Sequence, residues 1–480
     1  VVAGGALASA FIPTLSDYLA QDTKNDAWQL TSSVLTLLMI VLLTVSGLAA
    51  IFAPAVVNVL SPGFDPTKKV LTVSLLRVML LTPMIFGIAG LMIGVLQAHQ
   101  RFLLPAFALP IYNLGIIGGI VLLGPRIGIF GAAWGAVAGA LAYMLLQVPG
   151  MFAVKFRYRL QADINDPGVR EVARLMGPRV LGLAVIQVNF WVNTLLASRM
   201  VEGSYDAIVN AFYIMLLPQG VIAQSVANAV FPTFSAQVSS DDQEGLNRTL
   251  GQVLRAVMFL AIPAMVGLVM LRLPIVRILF ERGEFTFTSS QAVAWALLFY
   301  GLGLASHSMV EILTRAFYAM HDTWTPVVIG GGAMVLNIIL SLVLIQVIGE
   351  PGNLARGSFA GLALANTIAT TLEAGIMLAV LGPRVGGYRT NRLFESMGKT
   401  AAASLVMGIL LWGGLQVMGG SPQLLLEGVA GMWVGTLALV ASGAATFWGV
   451  AWLMGSPEAR LFTTFALSRL GFTHRETAAE

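Results

Sequence analysis

Long apolar runs, each ended by turn-forming or charged residues, recur along the whole chain of 480 residues. Read by window and by punctuation, they predict twelve complete spans near 27–60, 69–98, 101–124, 128–154, 177–201, 205–236, 246–272, 290–318, 325–349, 357–382, 397–418 and 429–454, with a partial span over 1–19. A run of about 20 residues crosses a hydrocarbon core of about 30 Å when coiled at about 1.5 Å per residue. The breaks carry turn chemistry, as in "SPGFDP" (Ser61 to Pro66), "LGPRIG" (Leu123 to Gly128) and "GEPGN" (Gly349 to Asn353). Strict alternation of polar and apolar positions is scarce, so the spans read as helices rather than as strands of a barrel. The pattern predicts an all-α polytopic membrane protein.

The pattern also repeats. "ASAFIPTLSDY" from Ala8 returns as "ANAVFPTFSAQ" from Ala227, with five of nine positions identical between Ala8 and Ser16 at an offset of 219. "APAVVNVLSPGF" from Ala53 aligns with "LPIVRILFERGE" from Leu273 at 220, and "QAHQRFLLPA" from Gln97 with "YAMHDTWTPV" from Tyr318 at 221. A slowly drifting offset indicates a duplicated unit of about 220 residues. Six spans per unit, an even number, make the two copies parallel, the arrangement in which transporters place a site between two lobes. The expected organisation is an N-terminal lobe over 1–154, a cytoplasmic linker helix over 155–176, a C-terminal lobe over 177–382, an appended helix pair over 397–455 and a cytoplasmic tail over 456–480. Copy two holds one span and part of another ahead of Ala227 that copy one lacks ahead of Ala8. The expectation is therefore two six-helix lobes plus two C-terminal helices, with thirteen of fourteen spans present and the first of them partial.

Composition agrees, with 57% of residues hydrophobic and 10% charged, where a soluble domain is about a quarter charged. There is no cysteine, which excludes disulfides and thiolate metal sites. The formal charge is only +4, with no basic run carrying interleaved aromatics, so no nucleic-acid partner is expected. The basic residues read as topology signals. Alternating the connections puts 18 Lys and Arg on one side and 8 on the other, with Arg77 set aside as lying within a span. The richer side, which holds the 155–179 segment and the C-terminal tail, is the expected cytoplasmic side.

Ionisable groups at membrane depth cost at least about 2.5 kcal/mol each on insertion scales, so each needs a partner, a wet cavity or a route to the interface. Arg255 in "GQVLRAVMFLAIPA" and Arg77 in "SLLRVMLLTP" either line a cationic cavity, where guanidinium matches phosphate oxygens, or snorkel to the nearer interface. Glu311 and Arg315 form an i, i+4 pair of the favourable order, structural or part of a proton relay. Glu373 has no local partner and either pairs across helices or titrates. Asn189 and Asn193, with Gln187 and Ser198, make a polar stripe, and Asn337 with Ser341 a second. Both suit ligand contact or helix-to-helix hydrogen bonds. His99, His307, His321 and His474 are scattered, so no metal cluster is expected. There is no Walker-type loop or catalytic triad, so no cofactor or enzyme activity is expected, and uphill transport draws on a coupling cation or the membrane potential.

The segment "RAFYAMHDTWTPV" (Arg315 to Val327) resembles the cytoplasmic turn of the MurJ (MviN) family, lipid II flippases of the multidrug/oligosaccharidyl-lipid/polysaccharide exporter superfamily. "AFIPTLSDY" from Ala10, "LLRVMLLTP" from Leu75, "MGPRVLGLAVIQVNFWVNTLLAS" from Met176 and "LPQGVIAQSVANAVFPTFS" from Leu217 are similar to it as well. The resemblance covers nearly the whole chain. It implies a flippase that moves the undecaprenyl-pyrophosphate-linked glycopeptide lipid II between leaflets of the bacterial cytoplasmic membrane by alternating access. It also implies a cationic cavity between the lobes, a lipid-tail groove beside the last two helices, and membrane lipids as further partners. By that resemblance Arg255 matches a cavity arginine and Arg77 a commonly basic position. With the readings of single residues added to the resemblance, substrate contact is expected of Arg255, Arg77, Asn193, Asn189 and Glu373, and structural or gating roles of Arg315, Glu311, Asp322, Pro13 and Pro232. The chain departs from the family pattern at Gly4, where a glutamate is common, and at Tyr213, where an arginine is common. A flippase for another polyprenyl-linked glycan, a drug/cation antiporter of the same superfamily and a non-transporting scaffold stay as alternatives. The antiporter would favour carboxylates over arginines in its cavity.

Overall fold

The computed structural model describes residues 11–12, 14–16, 18–19, 24–385, 390–418, 428–461 and 463, and helix is the only regular secondary structure among them. Pro13 and Gly4 lie outside the described residues, as does most of the tail beyond Leu461. Contacts cluster into two compact units, residues 1–195 and 196–480, each described by itself.

The first unit contains α1 (Asp26–Ile51), α2 (Pro66–Ala98), α3 (Leu103–Ile127), α4 (Phe130–Ala153) and α5 (Pro167–Ala197), the last of which ends at the seam between units. A short helix, Ala53–Leu60, follows α1. Its core is built on Phe11, Leu15, Leu30, Leu91, Val95 and Leu96, all fully buried. Trp28 stacks on His99 with ring centroids 5.6 Å apart and meets the Phe156 ring edge-on at 5.4 Å. Helices α3 and α4 approach each other at glycines: a Cβ on Gly115 or Gly119 would overlap the backbone of Gly139 or Gly135. In lipid, where apolar burial between helices gains little, such backbone approach is what packing can still supply.

The segment expected as a linker helix over 155–176 is irregular as far as Asp166, and only then helical. The local chemistry gives the reason. Asp166 Oδ1 accepts hydrogen bonds from the Gly168 and Val169 amides at 2.7 and 3.2 Å, and Pro167 takes the first helical position, where no amide hydrogen is needed. From there α5 runs unbroken through the expected span to Ala197.

The second unit contains α6 (Ser204–Ser239), α7 (Gln243–Met270), α8 (Phe287–Leu302), α9 (Leu304–Ala319), α10 (Trp324–Val347), α11 (Ala360–Arg384), α12 (Leu393–Val417) and α13 (Ala430–Leu453). Helices α8 and α9 meet at a bend of 47°, the geometry of a broken span or a re-entrant loop. Gly303 marks the bend: its amide bonds the Tyr300 carbonyl at 2.9 Å, three residues back. The Phe299 carbonyl freed by that shift accepts the Thr367 hydroxyl of α11 at 2.7 Å. A Cβ at Gly303 would stand 2.7 Å from the same hydroxyl oxygen, so glycine is required by close approach.

Among the described residues ten helices are long and apolar enough to cross a membrane, or eleven when the bent pair counts as one span. Leu43, Leu122, Val347 and Ile409 are each 60% or more exposed. Large apolar side chains laid outward along entire helices suit a hydrocarbon solvent and no other.

The repeated phrases share local geometry. Leu15 and Phe234, 219 residues apart, are both fully buried, each in its own unit's core. Gln100 and His321, 221 apart, both adopt left-handed backbone, with φ of 56° and 59°. Each closes a helix by the same bond, Arg101 N to Leu96 O at 2.8 Å and Asp322 N to Phe317 O at 3.0 Å. This is the six-to-one bond of a Schellman C-cap, made without glycine.

Candidate functional site

The expected site residues fall in both units. Arg77, Asn189 and Asn193 belong to the first. Arg77 is exposed on α2, and its Nε donates to the Ala50 carbonyl in the last turn of α1 at 3.1 Å. A cation placed there satisfies one of the carbonyls that a helix end leaves free. Asn193 Nδ2 donates to Asn189 Oδ1 one turn earlier at 3.1 Å. The half-buried amides are joined along one face of α5, while Gln187 is exposed.

In the second unit α9 carries a stripe of ionisable groups at positions 307, 311 and 315, spaced by four so that they lie on one face. Arg315 donates to Glu311 at 3.0 Å and more weakly to Asn228 Oδ1 of α6 at 3.5 Å. Pro232, inside α6, lacks the amide hydrogen that would bond the Asn228 carbonyl, which leaves the helix locally open beside that contact. His307 Nε2 lies 3.0 Å from Asn366 Oδ1 of α11, with Phe212 edge-on to its ring. Next to it Ser306 and Thr371 share a hydrogen bond of 2.9 Å. The histidine and its amide partner were not legible in the sequence, where His307 stands without any ligand spacing. Only the packing of α9 against α11 brings them together.

A clasp closes the end of that bundle. Asp322, in the turn between α9 and α10, accepts from the Thr325 amide at 2.9 Å and the Thr325 hydroxyl at 2.5 Å, and forms an ion pair with Arg384 at the end of α11. The hydroxyl bond from Thr325, then its amide, then Arg384 hold the Asp322 carboxyl down at about 2. The Arg384 guanidinium also lies over the Phe317 ring, 5.6 Å from its centroid. Of the residues expected to gate, Asp322 thus ties three helix ends together, and Glu311 with Arg315 forms an internal pair.

Arg255 does not stand open. Its Nε lies 3.2 Å from Oε1 of Glu458, which is almost fully buried beyond the end of α13. The other Glu458 oxygen accepts the Ser456 hydroxyl at 2.9 Å. Glu458 lies outside every apolar run and so escaped sequence reasoning. Glu373, near the middle of α11, is half-buried against Gly330 of α10. Tyr213 is exposed on α6.

An apolar groove of about 410 Å³ runs between α6, α7, α12 and α13, lined by Leu260, Pro263, Gly267, Leu411, Phe447 and Trp448 among others. Its glycines and prolines open the space that bulkier residues would fill. An acyl or prenyl chain suits such a lining, since nothing in it asks for a hydrogen bond.

Comparison with known proteins agrees with this arrangement. The family model described as "Lipid II flippase MurJ" matches residues 1–430. The lipid II flippase MurJ of Burkholderia cenocepacia is 28% identical over 471 residues, covering 94% of this chain and 87% of the relative. A probable lipid II flippase MurJ of Vibrio cholerae is 27% identical over 422 residues, covering 85% and 79%. Among solved structures, a lipid II flippase MurJ in an inward closed conformation superposes with a TM-score of 0.77 at 23% identity, covering 94% of this chain and 88% of its own. An inward-facing multidrug resistance MATE family transporter of the MOP superfamily gives 0.69 at 14% identity, covering 80% and 87%. The structural likenesses carry the fold, and the family model, spanning most of the sequence, carries the kinship: this chain belongs to the lipid II flippase MurJ family.

Proposed function

We propose that this protein translocates lipid II from the inner to the outer leaflet of the bacterial cytoplasmic membrane by alternating access, without chemical conversion of its cargo. The family match over residues 1–430 carries the reading. The apolar groove beside α12 and α13 supports it as a place for the polyprenyl tail. The two-lobe division with limits at 1–154 and 177–382, the cytoplasmic placement of the C-terminus and the use of a cation gradient or membrane potential belong to the same proposal.

Within it, Arg255 takes the pyrophosphate by exchanging Glu458 for phosphate oxygens, which present the same charge and a similar fork of acceptors to a guanidinium. Arg77, Asn189 and Asn193 are the polar contacts of the first unit, and Glu311, Arg315, Asp322 and Pro232 control movement in the second. The test is complementation: a bacterium depleted of its own lipid II flippase should resume growth and expose lipid II on the outer leaflet when it expresses this chain. Correct membrane insertion without any lipid II exposure would overturn the reading.

A further inference from the structure

We propose that the Glu373 carboxyl is a proton-binding site within the membrane span α11, loaded and emptied as the protein works. The position sets the problem. Glu373 stands near the middle of a 25-residue helix that is long and apolar enough to cross a membrane. Among the described residues no hydrogen bond or ion pair reaches it, whereas Glu311, well inside α9, is held by Arg315 at 3.0 Å. An ionised carboxylate left in that situation is strongly disfavoured, and taking up a proton is the simplest way to neutralise it.

The neighbours exclude other solutions. Oε1 lies 3.2 Å from where a Cβ on Gly330 would stand, so α10 meets the carboxyl at a glycine that offers it no side-chain partner. Helix α10 carries no titratable side chain at all. From α9, His307 is bonded to Asn366, Glu311 to Arg315, and Tyr318 is the remaining titratable group. Tyr300 comes from α8, Tyr205, Asp206 and Tyr213 from α6, and Arg384 at the far end of α11 is taken by Asp322. None of them is bonded to Glu373.

A metal cation fits the site poorly. Hard cations gather several oxygen ligands, six to eight for calcium, and no set of three His, Cys, Asp or Glu side chains converges among the described residues. Thr371, close by on the same helix, has its hydroxyl committed to the Thr367 carbonyl and to Ser306. A single carboxyl beside Gly330 suits a proton, and no cluster of three or more His, Cys, Asp or Glu side chains includes it among the described residues to ligate a metal cation.

If the translocation proposed above is right, on which this clause alone rests, proton loading of Glu373 is a point where transport senses the pH gradient. Two sets of measurements on the full chain in lipid nanodiscs or proteoliposomes, one of the proton site and one of transport, separate the claims. The first treats wild-type protein with dicyclohexylcarbodiimide, an apolar reagent that attacks protonated carboxyls, and locates the adduct by peptide mass. Modification at Glu373 is expected at neutral pH, falling about tenfold per pH unit at high pH as a single ionising carboxyl requires. Infrared difference spectra between low and high pH should show a carboxylic-acid band that Glu373→Gln removes and Glu373→Asp keeps. Absence of the adduct together with an unchanged band in Glu373→Gln overturns the site, as does a band that responds to sodium and not to pH. The second measurement compares lipid II translocation with and without an imposed pH gradient: the ratio of the two rates should fall to one in Glu373→Gln. A wild type that never translocates lipid II defeats the flippase reading while the infrared result still decides the proton site.

Discussion

Arg255 Nε, near the middle of α7, lies 3.2 Å from Glu458 Oε1, five residues past the end of α13. The pair fastens the segment after the last span to the second unit, and Trp448 Nε1, donating to Thr463 Oγ1 at 2.9 Å, adds a second tie. An arginine that holds a carboxylate this well is also equipped to hold a phosphate.

The two uses of Arg255 predict different mutant patterns. If it binds the headgroup, Arg255→Ala abolishes lipid II translocation, while Glu458→Gln keeps it or raises it by freeing the guanidinium. If it serves the tail alone, both variants lose stability equally and keep transport. We expect the first pattern, with each variant destabilised by roughly 2 kcal/mol, less than a fully buried pair would lose. Translocation in vesicles and thermal unfolding in detergent read the two effects separately.

The Asp322 clasp predicts a pH dependence with a defined sign. Its folded carboxyl sits at about 2 against 3.8 for the free group. A depressed value means that the stabilisation is complete above the unfolded value and is lost as the pH falls through about 2. The unfolding midpoint of Asp322→Asn should therefore lie below that of wild type by a constant amount from pH 8 to about pH 4, and the gap should narrow only in stronger acid. The loss is on the order of 1 kcal/mol per hydrogen bond removed. A gap that closes already between pH 7 and 5 would assign the clasp to another group.

The bend between α8 and α9 depends on one hydroxyl. Thr367→Val removes the donor to the Phe299 carbonyl and leaves a buried acceptor unsatisfied, at a cost of about 1–3 kcal/mol. Thr367→Ser should retain most of the stability. Amide exchange around residues 299–303 is expected to quicken in the valine variant and not in the serine variant.

The glycine crossing in the first unit separates close approach from simple helix content. A Cβ at Gly135 would lie 2.8 Å from Gly119 Cα, whereas one at Gly118 meets no heavy atom within 4 Å. Gly135→Val should therefore force α3 and α4 apart, costing about 1–3 kcal/mol or more. Gly118→Val should fold normally. Folded yield after detergent extraction distinguishes them.

Much of this was legible in the residues because it depends on local chemistry. Pro66 starts a helix beside the break read as "SPGFDP", and most of the apolar runs coincide with helices. The repeat was legible too: Gln100 and His321 share a turn because they follow helices of matched phrase, and the left-handed cap comes with the phrase. The linker helix was misjudged at its start, because basic and apolar residues over 155–165 read as helical while Asp166 and Pro167 are the actual start signal.

What escaped the sequence were partners. His307 with Asn366, Thr367 with the Phe299 carbonyl, Asp322 with Arg384 and Arg255 with Glu458 are separated by 59 to 203 residues along the chain. No periodicity or motif encodes such distances. The sequence alone determined that this chain lives in a membrane as a series of helices and that its phrases recur at a steady offset, because hydropathy and turn chemistry act between neighbours. Only the tertiary structure decided which charges are spent on each other and that Glu373, inside α11, has no bonded partner among the described residues, because pairing is a property of helices brought side by side.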